Sequence, residues 1–251
     1  MICSFNRIDE FNVFFDLISN SCETIELKFS PEGVNANVLN KSHVCFYNLK
    51  INEYFFIDYN VKENISLLID CNEFHAILNQ LKKYNTIVLN KEENILEIIG
   101  LKEDNRIRFT LHLIDDNYSS PVPPAMDHTA NCEILLSDLK NATEIIEKVC
   151  KTDRFKVICS ETLGFEISSP VDAMTGYNQT IHSNITGDGE IVVNNGYISE
   201  LNKLNKLNKN IEFKLGNNLP LGWSINNEFD DIIINGLIAP ILEEEWLMKS
   251  I

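Results

Sequence analysis

SLLIDCNEFHAILNQLKKYNTIVL at 66–89 lies over EIVVNNGYISELNKLNKLNKNIEF at 190–213 without a gap, pairing Leu67 with Ile191, Ile69 with Val193, Phe74 with Ile198 and Ile77 with Leu201. In each copy a short apolar run enters a stretch of helical period and leaves it for another strand, the pattern of a β-α-β unit. KFSPEGVNANVLNKSHVCFYNLKI and VICSETLGFEISSPVDAMTGYNQTI extend the self-match at a second offset, with Ser30 over Ser160 and Ile51 over Ile181. The likeness is one of hydrophobic pattern more than identity, and it reads as a duplicated domain.

Working outward, Ile8, Phe11, Phe14, Phe15 and Ile18 fall at helical spacing, followed by alternating ETIELKFS and a PEG turn at 31–33. Strand character covers 34–51. A helix is expected at about 72–83, with Phe74, Ile77, Leu78 and Leu81 on one side, and three strands from 86 to 114, ending in RIRFTLHLI at 106–114. DDNYSSPVPPAMDHTA, from Asp115 to Ala130, holds three prolines and no period, so it reads as a linker. Beyond it a helix with Leu139, Ala142, Ile145, Ile146 and Val149 opens the second copy. Strands follow at about 154–160, 163–169 and 177–193, then a helix at 196–207 and strands at 210–215, 219–226 and 230–238. The expected organisation is a domain at 1–114, a linker at 115–130 and a domain at 131–251.

With 44% hydrophobic residues spread among charges, the 251-residue chain has the composition of a globular protein. No run approaches the length of a membrane helix, and MICSFNRIDEF meets charge too early for a signal peptide. The expectation is an intracellular protein, nuclear in a eukaryote and otherwise in the cytoplasm or at a viral replication site. Seven cysteines, an odd set with no CxxC pair, read as reduced core residues rather than disulfides or a zinc site. No cofactor is expected. A net charge of −16 argues against nucleic-acid binding unless the cations are gathered on one surface.

GVNANVLNKSHV at 33–44 and LIAPILEEE at 237–245 carry a more specific likeness. The first resembles the segment of proliferating cell nuclear antigen (PCNA) type clamps in which a glycine turn leads through a strand to Ser-His-Val. The second resembles their tail, in which an apolar strand reaches Ala-Pro and a row of acids. The resemblance implies an α+β DNA clamp fold: two similar domains, each of antiparallel sheets with two helices on the inner face, and three chains closing into a ring. It implies a sliding clamp that encircles duplex DNA without regard to sequence and tethers DNA polymerase and other replication or repair proteins, with a clamp loader as a further partner. A checkpoint-type subunit or a monomeric viral relative with a non-ring role is the alternative.

On that resemblance the helices face DNA. Residues 7–20, 72–83, 137–151 and 196–210 together carry +1, leaving −17 elsewhere. Lys203, Lys206 and Lys209 recur every third residue, and Lys82, Lys83, Lys140, Lys148 and Lys151 would extend their surface towards phosphates. By spacing alone, a solvated helix face is the commoner meaning. The first helix departs from the family's lysines, offering acids and only Arg7 nearby.

The family's client pocket, which takes a short peptide with paired aromatics, falls on Leu39, His43, Val44 and Phe46, on Val122 and Pro123 of the linker, on Pro220, and on Leu237, Ile238, Ala239 and Pro240. Taken singly these are ordinary core or surface residues, and EEE at 243–245 an ordinary charge run. His43 and Cys45, two apart on an expected strand, are the one candidate nucleophile pair. They lack an orienting third group, and no GxSxG, P-loop or HExxH accompanies them, so no enzyme is expected.

Overall fold

The computed structural model describes residues 1–115, 118–170, 173–181 and 183–241. The chain divides into two compact units, Met1–Pro123 with Asn226–Asn235, and Pro124–Ile225 with Gly236–Ile251.

In the first unit the strands are β1 (Ile2–Phe5), β2 (Thr24–Ser30), β3 (Gly33–Leu39), β4 (Cys45–Asn52), β5 (Asp58–Asn60), β6 (Ile65–Asp70), β7 (Thr86–Glu92), β8 (Ile95–Lys102) and β9 (Asn105–His112). The helices are α1 (Ile8–Ile18) and α2 (Cys71–Leu81), with a 3-10 turn at Glu53–Phe55. One antiparallel sheet runs β5-β1-β7-β8-β9, and a second set of strands runs β4-β3-β2-β6. Ile25, Leu27 and Phe29 of β2 alternate into the interior, as do the buried Phe11, Phe14 and Phe15 of α1, and Phe15 and Phe74 of α2 meet edge to face with ring centres 5.0 Å apart. Gly33 allows the tight β2–β3 turn: its φ is +138°, and a Cβ there would sit 2.0 Å from the Ile51 carbonyl oxygen.

The second unit repeats the plan. Its strands are β10 (Ala130–Leu135), β11 (Arg154–Ser160), β12 (Gly164–Ser168), β13 (Asn178–Ile181), β14 (Ile185–Thr186), β15 (Gly189–Asn194), β16 (Asn210–Leu215) and β17 (Leu221–Asn226). They run β14-β10-β16-β17 and β13-β12-β11-β15. The helices are α3 (Leu136–Ile145), continued by a π-helical turn Ile146–Cys150, and α4 (Asn195–Glu200), continued by a 3-10 turn Leu201–Lys206. The last strand, β18 (Ile232–Ile238), gives 232–235 to the first unit and 236–238 to the second.

The duplication holds at the level of register. Ile25 stands opposite Ile69 in the first unit, and Phe155 opposite Val193 in the second. Asp70 caps α2 by accepting from the Asn72 and Glu73 amides at 2.9 Å each, and Asn194 caps α4 by accepting from the Gly196 amide at 2.9 Å. The self-match needs two offsets because the first unit inserts the 3-10 turn and β5 where the second has only the two-residue β14.

Several expectations need correction. β1, of four residues, and β10, which runs directly into α3, lie outside the strands expected from the sequence. The final helix, expected to run to 207, ends at Lys206. All seven cysteines are free and buried, as expected. No described helix is long and apolar enough to cross a membrane.

Candidate functional site

The exposed side of the helix pair in the first unit is mixed in charge. His75 Nε2 lies 2.7 Å from Asp16 Oδ1, Asn12 Nδ2 donates to the same oxygen at 3.1 Å, and Lys82 Nζ is 3.9 Å from Asp16 Oδ2. Part of the Lys82 charge is therefore answered locally by α1. Lys83 is exposed, with its ammonium 5.9 Å from the centre of the Tyr84 ring. Arg7 does not make good the missing lysines of α1. It pairs with Glu10 at 3.3 Å and with Asp231, and is held between Phe55 and Phe229.

In the second unit Lys140, Lys148 and Lys151 are exposed along α3 and the turn that ends it. Lys148 lies 2.7 Å from Glu144 Oε2; that hydrogen bond raises the lysine's pKa and lowers the glutamate's. Lys203 and Lys206 stand three apart on a 3-10 turn, a geometry that stacks i and i+3 on one side, and Lys203 pairs with Glu200. Lys209 lies past the helix end, in the turn before β16, and is exposed. Buried Asn195 fixes α4 against α3 through its amide to the Thr143 carbonyl at 3.2 Å. Exposed ion pairs of this kind contribute little and exchange readily for a phosphate.

The sheet face below the linker is built by β3 and β4. Leu39 and Phe46 are direct cross-strand partners, on the opposite face from Val38 and Tyr47; Leu39 is half-buried and Phe46 buried. The linker crosses the same face: Asn37 Nδ2 donates to the Pro121 carbonyl at 2.9 Å, and Asn48 Nδ2 supports Asn37 Oδ1 at 2.7 Å. Ser120 bonds to Glu26. Burial pushes the Glu26 carboxyl up, but hydrogen bonds from Ser120, Ser66 and Lys28 outweigh it and hold the group below its ordinary range. Val122 and Pro123 beyond are exposed.

His43 is not on a strand. It sits exposed in a turn with φ 59°, where Asn40 Oδ1 accepts from the Val44 and Cys45 amides at 2.8 and 2.9 Å. Cys45 begins β4 fully buried, and burial pushes its thiol up to about 12. An activated nucleophile needs the reverse shift and a partner within reach, so the Cys-His reading fails on geometry.

In the second unit the Pro220 carbonyl is 2.9 Å from His128 Nε2. Leu237, Ala239 and Pro240 are half-buried, whereas Ile238 is 1% exposed. The alternation of β18 turns Ile238 inward, as it does Ile232 and Ile234, so Leu237, not Ile238, is the side chain a peptide can touch. The acids at 243–245 lie outside the described residues.

A doubled antiparallel β-α-β architecture, with lysines on its helices and a linker crossing one sheet face, defines a protein of the DNA-clamp class. Residues 5–119 match the family model for the proliferating cell nuclear antigen N-terminal domain. The chain is similar to a DNA polymerase sliding clamp of Methanobrevibacter smithii, 27% identical over 92% of this chain and 93% of the relative. Among solved structures it resembles PCNA from Entamoeba histolytica, with 18% identity, a TM-score of 0.83 and coverage of 96% of this chain and 98% of that one. It also resembles a PCNA2–PCNA3 complex from Sulfolobus tokodaii, with 20% identity, a TM-score of 0.84 and coverage of 97% and 100%. The first half of the chain thus matches the PCNA N-terminal domain family, and the fold along nearly the whole chain is that of the PCNA clamps.

Proposed function

We propose that this chain is a processivity factor: a ring that encircles duplex DNA, turns its lysine-bearing helices to the phosphates and tethers a DNA polymerase and other clients, without chemistry of its own. What carries the reading is similarity to a polymerase sliding clamp along nearly the whole chain, both halves of the duplication included. Sliding requires contacts that are electrostatic and free of base recognition, which suits lysines on helix surfaces. The curated relatives bear the name of polymerase clamps, which does not favour a checkpoint-type role.

β9 and β13 lie at sheet edges, and edge strands pair readily with another chain. A homotrimer closed through these edges, opened by a clamp loader, is the assembly proposed. Leu39 and Phe46 with the linker are proposed as a client-contact surface of the first unit, and Leu237, Ala239 and Pro240 are proposed, independently, as client-contact residues of the second.

The deciding experiment loads the labelled protein onto nicked circular DNA and follows its retention after a single linearising cut. A sliding ring stays on the circle and runs off the linear molecule, and it also raises the processivity of its cognate polymerase. Equal retention on both forms, with no gain in product length, overturns the proposal.

A further inference from the structure

A second surface of the first unit, away from the linker, combines exposed apolar side chains with carboxylates. At its centre the Arg7 guanidinium carbon lies 4.4 Å from the Phe55 ring centre and 5.1 Å from that of Phe229. Arg7 also pairs with Glu10 and Asp231, and Asn227 Nδ2 is 2.7 Å from a carboxylate oxygen of each. The Asn52 amide donates to the Asp231 carbonyl at 2.8 Å, setting the end of β4 beside the turn that precedes β18. Asn227 Oδ1 accepts from the Asp231 and Ile232 amides at 3.1 Å each, which fixes that turn.

From this rigid base Tyr54, Ile57 and Phe229 project into solvent, 80%, 55% and 69% exposed. Asn52 is at the far end of β4 from Phe46, roughly 20 Å away at about 3.3 Å per strand residue, so the patch is separate from the linker-covered face. Large exposed apolar groups rimmed by polar ones mark interaction surfaces, and a preformed one spares the ordering cost of binding. Its charge states what it accepts. Within 7–10, 52–58 and 226–232 Arg7 is the sole cation, already bonded, whereas Asp9, Glu53, Asp58, Glu228 and Asp230 are all acids. Such a rim repels nucleic acid and anionic lipid and attracts cations.

We propose that Tyr54, Ile57 and Phe229 form a docking surface for a lysine- or arginine-rich segment of a partner protein that also carries apolar side chains. The cations meet the rim carboxylates and the faces of the two aromatic rings, while the apolar side chains cover Ile57 and Phe229.

The test titrates the full-length protein with a labelled 12-residue peptide of lysine, glycine and two leucines, and with its counterpart bearing glutamate for lysine, read by fluorescence anisotropy. The lysine peptide binds and the glutamate peptide does not. Tyr54→Ser/Phe229→Ser weakens binding at least tenfold, and Glu228→Lys, an exposed turn substitution, weakens it severalfold with the circular dichroism spectrum unchanged. Three results overturn the proposal: no binding of the lysine peptide, equal binding by parent and both variants, or a fall in molecular mass on Tyr54→Ser/Phe229→Ser, which would mean that a second copy covers the patch.

Discussion

The side-chain amide of Asn37 donates to the carbonyl oxygen of Pro121, 84 residues further along the chain, at 2.9 Å. A proline-rich segment with no repeating structure of its own is thereby held against the face that carries Leu39 and Phe46. A neutral hydrogen bond of this kind contributes about 1 kcal/mol. Asn37→Ala is expected to lower global stability by about that amount, and to raise amide hydrogen exchange in 118–122 far more than in β3. Unchanged exchange would mean that the linker is held by other contacts.

The alternation in β18 separates two substitutions that differ by one position. Ile238→Asp places a carboxylate in an apolar interior and is expected to cost several kcal/mol, lowering the thermal midpoint sharply. Leu237→Asp, half-exposed on the other side of the strand, is expected to leave the midpoint within a few degrees while weakening a polymerase-tail peptide at least tenfold in calorimetric titration. If Leu237→Asp binds as the parent does, the client surface lies elsewhere.

Replacing Lys203, Lys206 and Lys209 with Ala is expected to weaken duplex binding and flatten its salt dependence, by about 0.9 in the slope of log K against log salt for each phosphate no longer neutralised. Mass in solution should not change. An identical slope in parent and triple mutant would place these lysines away from the DNA.

Burial raises the thiols of Cys3 and Cys45 from an ordinary 9.0 to about 12. The folded thiols stay neutral until about pH 12, whereas the unfolded ones ionise from about pH 9. The unfolded state therefore binds fewer protons in that window, and stability falls as pH rises through it. The slope approaches about 1.4 kcal/mol per pH unit for each thiol. Denaturant midpoints at pH 8 and pH 10.5 should show the decline, and Cys45→Ser/Cys3→Ser should reduce it. A pH-independent midpoint would mean that the thiols reach water.

The helix and strand order was legible in the chain because burial imposes a period, and the periods survive in Phe11, Phe14 and Phe15 of α1 and in the alternation of β9. Duplication was legible for the same reason: Leu67 with Ile191 and Ile69 with Val193, matched between the two copies, are alike in kind although not in identity. β1 and β10 were not: β1 holds only four residues, and β10 runs from the linker straight into α3. Nor could charge counting show what each cation does. Arg7 is committed to Asp231, more than 200 residues away, and Lys82 leans on Asp16 of a different helix. His43 reads as a strand residue by spacing, but the Asn40 turn gives it a positive φ. What the sequence determined alone was the repeating pattern of what is buried. Which polar groups are spent on one another, and which of two adjacent residues in β18 faces out, was decided by the tertiary structure, because pairing distance and strand face depend on neighbours remote in the chain.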